Sequence, residues 1–236
     1  MGAPSAPSQT STGQPDAPSS APQTEHPSDP ESGRGSTRDR LALDALERLT
    51  VAAHAASSDY ERDAFSYRSY DQDRNGCDIR NDVLRRDLDD ITIRAGTNGC
   101  TVQTGLLHDP YTGATIDFER GAATSGDVQI DHVVALANAW ATGADTWKSE
   151  VLQEFGNDPL NLLAVQGAAN QQKGAHDAAS WLPDMEDFQC EFVARQVAVK
   201  LAYELTVTME ERSAMRDVLS TCPDEPLPTA AETATP

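Results

Sequence analysis

Apolar residues recur at two spacings along the middle of the chain, and the switches between those spacings mark out its elements. Leu41, Ala45, Leu46 and Leu49 fall on one stripe of a helix over about 39–48, with Ser36 or Thr37 as its cap. Thr50-Val51-Ala52 reads as a short strand, and 60–70 as an aromatic, polar loop. Asp78 opens a helix over about 79–89 that turns Val83, Leu84 and Leu88 inward. Strands then follow at 91–93 and 101–107 around the Asn98-Gly99 turn, and at 115–119 after the Asp109–Gly113 turn. Helices are expected near 136–142 and 146–155, then a strand over 160–165 and a short helix from 167 that Gly174 ends. Asp177 caps a turn to Trp181, and two amphipathic helices, 187–204 and 208–220, close the pattern.

One stretch breaks the pattern. Residues 128–134 alternate as a strand, yet Asp131 and His132 stand side by side in it. Adjacent strand residues point to opposite faces, and a buried polar group without a partner is costly. At least one of the pair therefore has work to do. If both serve one site, a local bulge or twist is expected at the pair.

Composition separates the ends from the middle. Residues 1–38 are rich in Pro, Ser, Thr, Ala, Gln and Gly and have almost no large apolar residue, so they are expected to be disordered. The tail 223–236 reads the same way, which leaves 39–222 as the folded domain. No apolar run is long enough to cross a bilayer, and no secretory signal is visible at the N-terminus. The chain carries 38 acidic against 18 basic Lys and Arg residues, a formal charge of −20. That balance repels nucleic acid at long range and favours solubility.

Cysteines occur at 77, 100, 190 and 222, none in Cys-x-x-Cys spacing, which argues against a zinc knuckle. Their local grouping favours Cys77–Cys100 and Cys190–Cys222 among the three possible pairings, over four free thiols, and so an oxidising compartment. A Pro/Ser/Thr-rich leader ahead of such a domain reads as a spacer from a cell surface, with any signal or anchor outside this chain. The expected location is secreted or cell-surface.

Asp71-Gln72-Asp73-Arg74-Asn75-Gly76 has the oxygen spacing of half a calcium loop. Position twelve is Asp82 rather than Glu and no helix pair flanks the segment, so an Asx-rich turn is the better reading. His54 and His108 read as ordinary surface residues, and the tryptophans at 140, 147 and 181 as core.

Asp131-His132 on a strand, Asn161 on a later strand and Asn170-x-x-Lys173 on a helix form an ordered constellation. It resembles the HNH branch of the His-Me-finger nucleases. The run through Ala139-Trp140, Gly143-Ala144, Trp147, Asn157-Asp158-Pro159-x-Asn161-Leu162 and Trp181-Leu182-Pro183 is similar to the C-terminal domain of GmrSD-type restriction endonucleases. Gly76-Cys77-Asp78-x-Arg80-Asn81 resembles the secreted actinobacterial proteins that carry that domain. The resemblance covers about 41–222 and is densest over 127–183; Ala175 and Ala178 stand where the family pattern has Asp and Pro.

The resemblance implies an α+β fold: a ββα-metal core wrapped by helices and a small antiparallel sheet. It implies hydrolysis of DNA phosphodiesters, with RNA as a further substrate. His132 is then the base that activates water, Asp131 and Asn170 the metal ligands, and Asn161 the support of the loop and the base. Lys173 contacts phosphate, and Arg80 is a weaker substrate contact. A neutral His suits a base at pH 7, and Asp and Asn oxygens suit a hard divalent ion, Mg²⁺ before Mn²⁺. The expected partner is nucleic acid, and the expected state is a monomer. The competing readings are a non-catalytic nuclease-like binding module and a calcium-binding surface domain.

Overall fold

Most of the chain's order is built around two antiparallel sheets joined by one helix. The computed structural model describes Gly2, residues 41–55, 59–67, Asp71 and 73–234. The chain divides into two units, Met1–Arg34 and Gly35–Pro236, and the described helices and strands all belong to the second. Apart from Gly2, the 1–38 leader lies outside the described residues, and so does the Ser36 or Thr37 cap.

Helix α1 (Ala42–Leu46) buries Ala42, Ala45 and Leu46, as its stripe requires. Val51 makes a single bridge to Val207 rather than a strand. Helix α2 (Ile79–Asp87) is capped by Asp78, whose carboxylate accepts the Asn81 N–H. It stops at Asp87, two residues short of the expected end, because Leu88 is drawn into β1 (Leu88–Ile93) opposite Leu107. Strands β1, β2 (Val102–His108) and β3 (Thr115–Glu119) form an antiparallel meander.

The second sheet pairs β4 (Val128–His132) with β5 (Leu162–Gln166). Helix α5 (Gly167–Lys173) follows β5 directly. Between the two strands lie α3 (Leu136–Ala141), α4 (Ser149–Asn157) and two 3₁₀ turns. Helices α6 (Glu186–Ala202) and α7 (Met209–Leu219) pack on the other side of the core with α1. The mixed helical and antiparallel architecture is the expected α+β class.

Two glycines set how closely these parts approach. A Cβ on Gly167 would lie 2.1 Å from the Gly126 carbonyl oxygen, and one on Gly156 would lie 2.7 Å from that of Phe65. Both distances are closer than a side chain tolerates, so β5 can turn into α5 under the 121–127 loop, and α4 can lie on the Phe65 turn, only through glycine.

The tail behaves unlike the loose segment its composition suggests. Leu41 bridges Pro226, Ala42 donates to Glu225 O, and Arg86 donates to Thr233 O at 2.8 Å. Arg86 also holds Pro159 O and Leu162 O, so one guanidinium ties the tail to the start of β5. A polar composition that cannot form its own core can still be held on a neighbouring one.

Asp71 accepts the N–H groups of Asn75 and Gly76, and Asn75 donates to Asp73 and Asp82. These carboxylates face N–H donors, which is the arrangement of an Asx-rich turn. Cys77–Cys100 and Cys190–Cys222 are bonded, as their grouping suggests, and no cysteine is free. They close 23 and 32 residues. Loop-closure entropy of that size is worth about 3–4 kcal/mol per bridge. Reduction with a phosphine is expected to lower the thermal midpoint by more than about ten degrees, read by circular dichroism against the oxidised chain.

Candidate functional site

Strand β4 presents Asp131 and His132 to opposite faces. Its pairing with β5 is regular through the pair, with Asp131 opposite Leu163 and His132 opposite Leu162. The expected bulge is absent, and the two side chains therefore separate.

His132 faces a cavity of about 620 Å³. Arg62, Tyr67, Arg80, Arg120, Gln129 and Asn170 are also in its walls. The imidazole Nε2 lies 2.9 Å from the Gly156 carbonyl oxygen. A carbonyl only accepts, so Nε2 carries the hydrogen and Nδ1 keeps the lone pair. The Tyr67 ring stands edge-on to the imidazole at 5.5 Å. Burial drives the His132 pKa from 6.5 down to about 3; the Gly156 bond opposes this, while the Arg62 and Lys173 charges add to it. The free protein thus holds a neutral imidazole of fixed tautomer.

The sign of that shift gives a pH dependence. Below about pH 6.5 the unfolded chain protonates His132, whereas the folded chain resists until about pH 3. The contribution is therefore complete above pH 6.5 and is lost as pH falls toward 3. Acid titration of the thermal midpoint is expected to show this loss in the native chain and a smaller one in His132→Gln.

Asn161 supports the chain leaving His132. Its Oδ1 accepts the Val134 N–H at 2.8 Å and its Nδ2 donates to Val134 O, while its own carbonyl accepts Val133 N–H. The side-chain amide thus stands in for a strand partner, and for this reason β4 ends at His132 rather than at 134. Asn161 itself sits in a 3₁₀ turn before β5, not inside the strand as the sequence pattern suggests.

Asn170, on α5, reaches the same cavity. Its Nδ2 donates to Gln129 Oε1 at 3.0 Å, which leaves the amide oxygen as its other polar atom. Arg80 also lines the cavity; one guanidinium nitrogen donates to Ser125 O and Val128 O. Arg120 is held by Val102 O and Asn81 Oδ1, and Arg62 by Tyr67.

Asp131 and Lys173 are not in the cavity lining. Asp131 is 5% exposed and does not line the cavity. Its Oδ2 accepts Tyr111 Oη–H at 2.5 Å, and its two oxygens lie 3.0–3.1 Å from Lys173 Nζ. Lys173 is fully buried and also donates to His132 O at 2.8 Å. The carboxylate is matched to an ammonium and a phenol rather than left open toward the cavity that holds Asn170. The pair is a strut: Asp131 anchors Lys173, and Lys173 anchors the backbone of His132.

Tyr111, Gly156 and the cavity residues Arg62 and Arg120 were not singled out from sequence. Tyr111 lies in the turn after β2, and only the fold brings it to β4. Gly156 contributes a carbonyl, which leaves no side-chain signature; the nearest signal is a glycine inside an otherwise regular helix. Two groups of metal-ligand residue types lie close together among the described residues, and one of them, Cys190, Cys222 and Glu225, includes sulfurs already bonded to each other.

The site is thus a strand pair followed by a helix, with a neutral His of fixed tautomer beside three arginines. Residues 78–218 match the family described as GmrSD restriction endonucleases, C-terminal domain. The chain belongs to that family, which is HNH-related. It is also 36% identical over 183 residues, 77% of this chain and 84% of the other, to an uncharacterized secreted protein of Arthroderma benhamiae. That relative lies outside the actinobacterial group to which the sequence resemblance pointed. No solved structure matches.

Proposed function

We propose that the protein is an extracellular endonuclease that hydrolyses nucleic-acid phosphodiesters with His132 as general base. The observation that carries this reading is the His132 tautomer: Nε2 is committed to the Gly156 carbonyl, and Nδ1 is left to take a proton from water. Family membership supports nuclease chemistry. Two disulfides and a relative described as secreted support the location.

Arg62, Arg80 and Arg120 give a local positive wall inside an acidic chain. They would attract the phosphate backbone at short range while the rest of the surface repels it, so binding should weaken steeply with salt. Asn161 positions the loop beyond the base, and Lys173 holds the base's own backbone.

A divalent ion belongs to this reading through the family resemblance, Mg²⁺ before Mn²⁺. The donors fit it only in part. Asn170 offers an amide oxygen at the cavity, and a hard ion usually fills its remaining positions with water and phosphate oxygens. Asp131, the other expected ligand, is held by Lys173 and Tyr111 and is not in the cavity lining. When bound, such an ion would stabilise charge on the phosphate and the departing oxygen.

Supercoiled plasmid and single-stranded RNA, incubated separately with the protein and Mg²⁺ or Mn²⁺, test the reading. Cleavage that EDTA stops is expected for DNA at least. Absence of cleavage of both polymers with either ion would contradict it. The acid limb of the rate should fall between pH 3 and 6.5, since a bound phosphate raises a pKa that starts at about 3.

A further inference from the structure

His54, Asp177 and Glu211 belong to three separate segments, yet one ligand atom from each lies within 4.8 Å of the others. From this juxtaposition we infer that the protein has a second cation site, distinct from the His132 cavity, for a first-row divalent ion of the zinc type. One imidazole nitrogen and two carboxylate oxygens are a donor set that suits zinc, and the imidazole disfavours Mg²⁺ and Ca²⁺.

Glu211 is the strongest part of the argument. It is fully buried in the first turn of α7, where Thr208 accepts its N–H and fixes its position. Lys200, also fully buried, has three N–H donors, and all three are in use: Asn138 Oδ1 at 3.1 Å, Thr206 O at 3.1 Å and Glu211 Oε2 at 3.2 Å. The other oxygen, Oε1, lies 3.0 Å from the same nitrogen but accepts no hydrogen bond among the described residues. Oε1 is thus charge-paired with Lys200 while its lone pairs remain open to a second cation.

The other two ligands are held in place by their own backbones. On either side of His54, Ala52 N–H donates to Val207 O and Ala55 N–H donates to Ala141 O. The side chain itself is exposed and can turn. Asp177 caps the turn to Trp181, with Oδ1 accepting the Ala179 N–H, so Oδ2 is the oxygen it offers. Two carboxylates beside one ammonium leave about one negative charge, which Lys200 does not neutralise and a cation would. Zinc–ligand distances of about 2.0–2.2 Å put tetrahedral ligands about 3.3–3.6 Å apart. The three atoms lie within 4.8 Å of one another, so closing to that spacing is a side-chain adjustment, and the exposed His54 ring is free of packing that would oppose its part in it.

The ion would staple the segment before the Phe65 turn, the connection after α5 and the start of α7. It requires none of the nuclease residues, so its test is independent of the proposed activity. The full chain is stripped with EDTA, exchanged into buffer and titrated with ZnCl₂ by calorimetry, with the thermal midpoint followed in parallel. One Zn²⁺ per chain and a raised midpoint are expected. His54→Ala and Asp177→Asn should each weaken binding by more than about tenfold and leave cleavage unchanged, and His132→Ala should bind zinc as the native chain does. Glu211 is left intact because its loss would strand Lys200 and unfold the chain. The inference is overturned by an absence of saturable binding, by binding that survives both substitutions, or by binding that disappears in His132→Ala.

Discussion

Asp131→Ala should lower the unfolding free energy by about 3–5 kcal/mol, the cost of leaving a buried charge without its partner. Lys173 has no exposed surface, and its two acceptors are Asp131 and the His132 carbonyl. Removing the carboxylate leaves an ammonium with one neutral acceptor and takes from Tyr111 Oη the carboxylate to which it donates. Lys173→Met alone strands the carboxylate with the phenol and should cost a similar amount. The double variant Asp131→Asn with Lys173→Met should recover much of the loss, because the two charges leave together. Urea denaturation of the four proteins reads these values. The opposite sign would mean that Asp131 is a ligand held open for an ion, since removing an uncompensated buried carboxylate stabilises a metal-free chain.

His132→Ala should lower phosphodiester cleavage by about 10²–10⁴-fold, the range that a positioned general base contributes. The fold should survive it. The imidazole donates to one carbonyl, packs edge-on against Tyr67 and borders the cavity, so truncation mainly enlarges a space that already exists. Gly156 O then loses its donor but lies at the cavity wall, where water can replace it. Loss of activity with a native circular dichroism spectrum therefore separates a chemical role from a structural one.

Much of this architecture can be read from local pattern. The helix faces of α4 and α7, the Asn98-Gly99 hairpin and both disulfides follow from periodicity, turn chemistry and cysteine grouping, whereas α6, expected to be amphipathic, is buried on all sides from Phe192 to Lys200. The C-terminal ends of β4 and α2 do not. Leu88 satisfies a helical stripe and a strand pair equally well, and only its partner Leu107 decides. Val133 and Val134 look like strand, but Asn161 from a distant turn takes their backbone groups.

The site divides in the same way. Family resemblance selects Asp131, His132, Asn161, Asn170, Lys173 and Arg80, and the fold gathers His132, Asn170 and Arg80 at one cavity. Asp131 points to the other face, as the period of two requires once β4 runs without a bulge, and Lys173 meets it there from α5. A fully buried lysine is rare enough that sequence favours the exposed reading. The arginine wall draws on residues 62, 80 and 120, which no local pattern connects, and it places three positive charges at one cavity of a chain of charge −20.

The central claim is that His132, fixed as a neutral base by Gly156, cuts nucleic acid in this cavity. The most direct measurement is the initial rate of supercoiled plasmid cleavage by the native chain beside His132→Ala, with Mg²⁺ or Mn²⁺ and with EDTA as control. The account predicts metal-dependent nicking by the native chain and a loss of about 10²–10⁴-fold in a variant with an unchanged fold. Equal rates from the two proteins would contradict it.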